Sequence, residues 1–262
     1  MFSREQPVRG TQSIHRAASL LRAIASHGRN GARLIDLSQQ TQLEQPTARR
    51  ILKSLIAEGI IMQEPESRRY MLGHLVLELG LAAAPQFNLQ RLGEPSLNRI
   101  AEKTGDTVFL SARSGYDSVC IDRKEGAYPI KTLTLDVGTR RPLGVGAGGV
   151  ALLMGLPDAE VDDILATNAR RIQRFSGIDV PLLKSLVKRA QRLDYALNDR
   201  QITPGAISIG YPLNNPSGPP FAAISIGAIS LRMGSARQRQ LAAILRQEVK
   251  ILEALVHDAT GF

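Results

Sequence analysis

The chain has no tryptophan, one cysteine (Cys120) and only 4% aromatic residues among 262. A single cysteine excludes both an intramolecular disulfide framework and a Cys-rich metal cluster. A reducing, cytoplasmic setting is therefore expected. Scarce aromatics argue against a single-strand nucleic-acid binder built on base stacking. Long apolar runs are also missing. The stretches at residues 75–84 and 144–156 are too short to span a bilayer, or carry Glu78. The opening MFSREQPVRGTQS lacks the apolar segment of a secretory leader, so no membrane partner is expected. The four histidines, His15, His27, His74 and His257, lie far apart, and none forms an i,i+4 pair. Neither a metal site nor a catalytic triad is indicated. The expectation is no metal, no cofactor and no catalytic residue.

What the chain has in excess is positive charge: 33 Lys+Arg against 24 Asp+Glu, a net +9. Such an excess favours polyanionic partners, nucleic acid among them. With 43% hydrophobic residues and this length, one large or two medium domains can each bury a core.

Residues 1–11 read as a polar arm. From Ser13 to Gly28 the apolar positions Ile14, Ala17, Ala18, Leu21, Ile24 and Ala25 repeat at helical period. Short helices follow at residues 34–41 and 46–58, with Pro46 suited to a first turn and Gly59 as a stop. Two β-like runs, 60–63 and 70–73, flank a polar turn and read as a hairpin. A connector helix over 74–92 is expected to kink or break at Pro85. The remaining segment mixes strands (107–113, 118–123, 131–135, 206–213, 221–230) with helices (96–104, 148–155, 158–166, 181–193, 235–259). The fold class is thus α+β in two domains.

The helix at 46–58 is the most informative element. At 100° per residue, Ala48, Ile51, Leu52 and Leu55 fill a narrow core-facing sector. Arg49, Arg50 and Lys53 fall opposite, bordered by Thr47 and Ser54. Basic residues on one helix face can neutralise phosphates while reaching base edges in the major groove; alone, such a face is also what a solvated helix shows. The context decides between the two: a preceding helix and short turn make a helix-turn-helix, and the hairpin carries Arg68 and Arg69 at its tip as a basic wing. The DNA-contacting set is Gln45, Thr47, Arg49, Arg50, Lys53, Ser54, Arg68 and Arg69.

Several segments resemble the IclR family of bacterial transcriptional regulators. They are Gln12-Ser13-Ile14-His15-Arg16-Ala17 with Leu20-Leu21, Leu55-Ile56-Ala57-Glu58-Gly59, and Arg69-Tyr70-Met71-Leu72-Gly73. Further along, Gly138-Thr139-Arg140-Arg141-Pro142-Leu143, Tyr195-Ala196-Leu197-Asn198-Asp199, Pro204-Gly205 and Ala222-Ala223-Ile224-Ser225 continue the match. No single motif is highly specific; their order and spacing are. The resemblance implies a winged helix-turn-helix over 12–73, a linker helix over 74–92, and a GAF-like, antiparallel-sheet effector-binding domain over 93–262. It also implies a homodimer or tetramer on double-stranded operator DNA, repressing or activating in response to a small organic acid.

The family's effector pocket, carried over by residue, falls on Ile130 and Leu133 (apolar wall), Ala147 and Gly148 (backbone amides), Asn198 and Asp199 (acidic segment), and Ser208 and Ser225. Strand periodicity agrees in part, since it puts Ser208 and Ser225 opposite the isoleucines of their Ile-Ser-Ile-Gly runs. Helix N-terminal amides at residues 147–149 can receive a carboxylate. The chain departs from the family at Gly144, Gly149-Val150-Ala151, Asn198 and Gly227, which points to a roomier, less polar pocket and a larger, aromatic or cyclic acid. Pocket closure is expected to reposition the connector and change half-site spacing. The run Gly144-Val145-Gly146-Ala147-Gly148-Gly149 fits GxGxxG, but lacks the adjoining strand and downstream acid of a dinucleotide site; tight helix packing accounts for it better. Cys120, between Val119 and Ile121, reads as a core side chain. Two other functions are weighed: a sensor signalling by protein contact without DNA, against which the basic helix and wing argue, and an α/β enzyme, for which no nucleophile–base pair is visible.

Overall fold

The computed structural model describes residues 11–83, 89–199, 202–215 and 218–260. The expected arm up to Gly10 and the Pro85 break lie outside them. The chain divides into two compact units, one up to Asn88 and one from Leu89.

The first unit contains α1 (Gln12–Ser26), α2 (Leu34–Thr41), α3 (Gln45–Ala57), β1 (Ile61–Gln63), β2 (Tyr70–Leu72) and α4 (His74–Ala83). Leu20 and Ile24 of α1, Leu37 of α2, and Ala48 and Leu52 of α3 are almost completely buried together. Each such leucine or isoleucine contributes roughly 2 kcal/mol of burial. Gln42 ends α2 in the left-handed region (φ 58°), which turns the chain sharply into α3. Pro46 sits in the first turn of α3, where its missing N–H costs nothing. β1 and β2 pair antiparallel with Met62 opposite Met71. Ala32 adds a bridge on the other side of β2, exchanging N–H···O bonds with Tyr70 at 3.0 and 2.8 Å. Gly31 (φ 60°) allows that approach: a Cβ there would lie 2.9 Å from Met71 Cγ and 3.0 Å from the Tyr70 carbonyl.

The second unit contains α5 (Leu89–Thr104), β3 (Thr107–Ser114), β4 (Asp117–Glu125), β5 (Arg140–Pro142), α6 (Gly146–Met154), α7 (Asp158–Ile172), α8 (Val180–Leu193), β6 (Ala196–Asn198), β7 (Ala206–Asn214), β8 (Pro220–Ile229) and α9 (Ser235–Thr260). The strands form one antiparallel sheet in the order β5-β4-β3-β8-β7-β6. One face, carrying Val108, Leu110, Ile209, Ile224 and Ile226, packs on α5 and α9. The other lies under α6 and α8, whose apolar faces form a second core with α7.

Several expected elements differ. Residues 131–135 form no strand; β5 lies instead at Arg140–Pro142, paired with β4. α5 starts at Leu89 and runs through Pro95. Proline suits a first turn, so the pattern alone places the start one residue later, at Ser96. α7 continues to Ile172, and β6 pairs with β7 at a segment to which the pattern assigns no element.

Candidate nucleic-acid interface and ligand pocket

The structure sorts α3 into the two faces that its periodicity implies. Ala48, Leu52 and Leu55 are buried, while Gln45, Arg49, Arg50, Lys53 and Ser54 are exposed and Thr47 is half-buried. Ser54 Oγ donates back to the Arg50 carbonyl at 3.3 Å, so its outward reach requires breaking a weak local bond. At the wing, Arg68 is exposed and holds a positive φ of 56°. Gln63 Nε2 donates to the Arg68 carbonyl at 3.0 Å and fixes this turn. Arg69 behaves differently: its NH1 donates to the carbonyls of Gly31 (3.0 Å) and Asn30 (3.3 Å). It pins the wing to the turn after α1 and is half-buried.

Between α3, the start of α2 and the wing lies an open cleft of about 480 Å³ lined by Arg33, Gln45, Arg49, Gln63, Ser67 and Arg68, among others. No carboxylate residue lines it. Arg33, at the mouth of α2, is a cationic contributor that sequence reasoning missed.

The second unit holds a small, partly open cavity, about 40 Å³, room for about three water molecules. Its floor is the α6-facing side of the sheet: Phe109 and Ser111 of β3, Ser225 of β8, Ser208 of β7 and Asn198 of β6. Register aligns these residues. Asn198 pairs with Ser208, and Phe109 with Ser225. The roof is the first turn of α6, with Gly146, Ala147, Gly148 and Gly149. First-turn amides have no intrahelical acceptor, and no side chain caps this helix. Gly210 lets α6 come this close, because a Cβ there would lie 2.7 Å from the Ala147 carbonyl. Gly149 does the same against the Gly144 turn, at 3.0 Å from its nitrogen. The glycine run therefore serves helix packing.

Five of the eight expected pocket residues come together: Ala147, Gly148, Asn198, Ser208 and Ser225. Three do not. Ile130 and Leu133 are 57% and 53% exposed. The segment that carries them is not a strand, and it turns its threonines inward: Thr132 and Thr134 line the cavity, with the Thr132 N–H bonded to Thr107 Oγ1 at 3.3 Å. Asp199 is held by Arg189 in a bidentate pair at 2.9 Å on each oxygen, so its charge is spent on α8. Ser111, Ser118 and Arg141 line the cavity without having been foreseen. Hydroxyls, an amide and a guanidinium share the lining with Phe109, Leu135, Val145, Ile202 and Ile207.

A basic helix-turn-helix with a wing, and a separate sheet domain enclosing a polar cavity, define a DNA-binding regulator with a sensor domain. Residues 13–65 match the IclR helix-turn-helix domain. Residues 81–253 match the C-terminal domain of bacterial transcriptional regulators of the IclR type. The chain therefore belongs to the IclR family of transcriptional regulators and is not an enzyme. It is 26% identical over 243 residues to the transcriptional repressor AllR of Salmonella typhi, covering 92% of this chain and 89% of that one. It is 27% identical over 232 residues to the regulator BhcR of Paracoccus denitrificans, covering 87% and 81%. The fold matches an IclR family regulator from Brucella abortus (TM-score 0.77, 21% identity, 97% and 96% covered). It also matches an IclR homologue from Microbacterium hydrocarbonoxydans complexed with 4-hydroxybenzoate (TM-score 0.67, 20% identity, 92% and 98% covered).

Proposed function

We propose that this regulator reads its operator with the exposed face of α3, that Arg68 and Arg33 grip flanking phosphates, and that a small carboxylic acid in the sensor cavity sets its affinity for DNA. The observation that carries the DNA reading is the separation on α3 of buried Ala48, Leu52 and Leu55 from exposed Arg49, Arg50 and Lys53, beside a cleft lined by cations and no carboxylate. Of the expected contacts, Gln45, Thr47, Arg49, Arg50, Lys53, Ser54 and Arg68 face the duplex; Arg69 holds the wing.

The acid sits with its carboxylate at the α6 amides of Ala147 and Gly148, where the helix dipole favours an anion, and contacts Ser208 and Ser225. The cavity's size points to an acid of two or three carbons, rather than a larger aromatic one. The structural neighbour with 4-hydroxybenzoate keeps the aromatic class in the test. A ligand shifts DNA affinity only through its different affinities for the two conformations, and DNA must shift ligand affinity by the same factor.

The working form is a cytoplasmic homodimer, or a tetramer made of two such dimers. No residue of α4 is buried, and Leu77, Leu79 and Leu81 are 62%, 58% and 67% exposed. Two-headed binding to half-sites one helical turn apart also calls for a dimer.

The test is a gel shift on the intergenic DNA beside the protein's own gene. A retarded band should weaken steeply with salt. It should be lost in the Arg49→Ala, Arg50→Ala, Lys53→Ala triple variant, and it should respond to a bound acid. An unchanged band in that triple variant overturns the assignment of α3.

A further inference from the structure

Arg140 and Arg141 are neighbours in sequence but opposites in environment. The Arg140 guanidinium meets Asp117 Oδ2 at 2.9 Å and Ser114 Oγ at 3.0 Å. Asp117 is also held by Arg171 at 2.6 Å, a compensated network. Arg141, one residue on, points to the other side of the short strand and lines the cavity. Its NH2 donates to the Thr134 carbonyl at 2.6 Å, and its charge lies 5.9 Å from the Phe175 ring centroid. Its NH1 reaches the start of α6, 3.8 Å from where a Cβ of Gly146 would be. Among the described residues it has no carboxylate partner, and no Asp or Glu lines the cavity. Elsewhere in this unit, Arg113, Arg189, Arg232 and Arg237 each reach a carboxylate within 3 Å. Burial pushes the Arg141 guanidinium below the usual arginine range. A desolvated cation without a counter-charge is costly, and an anion entering the cavity removes that cost.

A second orphan lies in the same cavity. Asn198 is 7% exposed, and its Oδ1 is buried with no hydrogen-bond partner among the described residues. An amide oxygen accepts, so this orphan is satisfied by a hydrogen-bond donor; a hydroxyl is one. Arg189 fixes this amide from either side in sequence, donating to the Leu197 carbonyl at 2.7 Å and to the Asp199 carboxylate.

We propose that Arg141 and Asn198 set the chemical class of the effector: a short hydroxy-carboxylate, with its anionic group between the Arg141 guanidinium and the first turn of α6, and its hydroxyl on the Asn198 amide. This rests on reading the cavity as the effector site.

The experiment is calorimetric titration of the full-length protein with three closely related probes: L-lactate, propionate, which lacks the hydroxyl, and lactamide, which lacks the charge. The wild type should bind lactate at least tenfold more tightly than either. Arg141→Gln should bring lactate and lactamide within about threefold of each other, while Arg141→Lys retains discrimination. Asn198→Ala should bring lactate and propionate together. If Arg141→Gln does not fold, Arg141→Lys and Asn198→Ala decide the matter. Equal binding of lactate and lactamide by the wild type, or full discrimination retained by Arg141→Gln, overturns the proposal. Binding of 4-hydroxybenzoate alone, blocked by filling the cavity at Gly148, also overturns it and leaves the site reading intact. If no acid binds and filling the cavity changes nothing, the site reading itself falls and this inference with it.

Discussion

Gly148 offers a clean separation of ligand binding from stability. It lies in the first turn of α6, and a Cβ built there would point into the cavity, 3.6 Å from both Ser111 Oγ and Ser225 Oγ. That is ordinary van der Waals distance, so Gly148→Ala introduces no clash. Replacing a helical glycine by alanine removes a backbone-entropy penalty of up to about 1 kcal/mol. The variant should therefore melt at the wild-type temperature or a few degrees above it. The added methyl, however, takes a substantial part of a space of about 40 Å³. Affinity for the acid should fall at least tenfold, which is about 1.4 kcal/mol. DNA binding without effector should stay as it is, and the response to effector should vanish. Gly149→Ala is the contrast. Its Cβ would lie 3.0 Å from the Gly144 nitrogen, and backbone cannot swing aside. It should cost about 1–3 kcal/mol of stability and lower the melting temperature. Thermal melts, calorimetry and gel shifts on the two variants test the reasoning together. A Gly148→Ala protein that loses stability while binding its acid normally would refute it, because the methyl would then not be in the cavity.

Arg50→Ala should weaken operator binding by roughly 1–3 kcal/mol if Arg50 reads a base, and should relax specificity at one position, checked by competition with single-base operator variants. Arg68→Ala should weaken all sequences alike and reduce the slope of log affinity against log salt by about 1. Arg69→Ala should instead lower the melting temperature of the first unit, because it removes the bonds to Gly31 and Asn30; an unchanged melt with a reduced salt slope would make it a phosphate contact. Glu248 on α9 is 1% exposed and accepts from Arg99 and Lys103 on α5. Burial acts to raise its pKa, but the bonds from Arg99 and Lys103 outweigh it and leave the carboxyl below its usual range. A depressed folded pKa means stability that is present above the unfolded value and lost as pH falls through the folded one. Glu248→Gln should thus cost about 1–3 kcal/mol at neutral pH, and the gap to wild type should close under acid, as followed by denaturant melts across pH.

How much of this was legible in the sequence follows from which interactions are local. The α3 stripe and its opposing cationic face follow from one angle repeated along one helix, and the structure has both. Ser208 and Ser225 were legible for a similar reason, because strand parity alone puts them opposite isoleucines that need a core. The failures come where parity depends on partners distant in sequence. Residues 131–135 alternate like a strand, yet form none; the Thr107 hydroxyl takes the Thr132 N–H instead. The family resemblance put an apolar wall at Ile130 and Leu133; both are largely exposed, and Thr132 and Thr134 line the cavity. Asp199 looked available because its counter-ion, Arg189, reaches it only once α8 packs along β6.

Arg140 and Arg141 make the same point more sharply. As letters they are identical and adjacent, and composition counts both as surface charge. Pairing of β5 with β4, which sets Arg141 opposite Ser118 and Arg140 opposite Val119, sends one guanidinium to a carboxylate and leaves the other facing a cavity without one. The sequence could flag two arginines in a row, but only the register shows that one of them lacks a counter-charge among the described residues. On the proposal that Arg141 anchors the effector, recognition in this domain is carried by that imbalance, and a bound anion removes it.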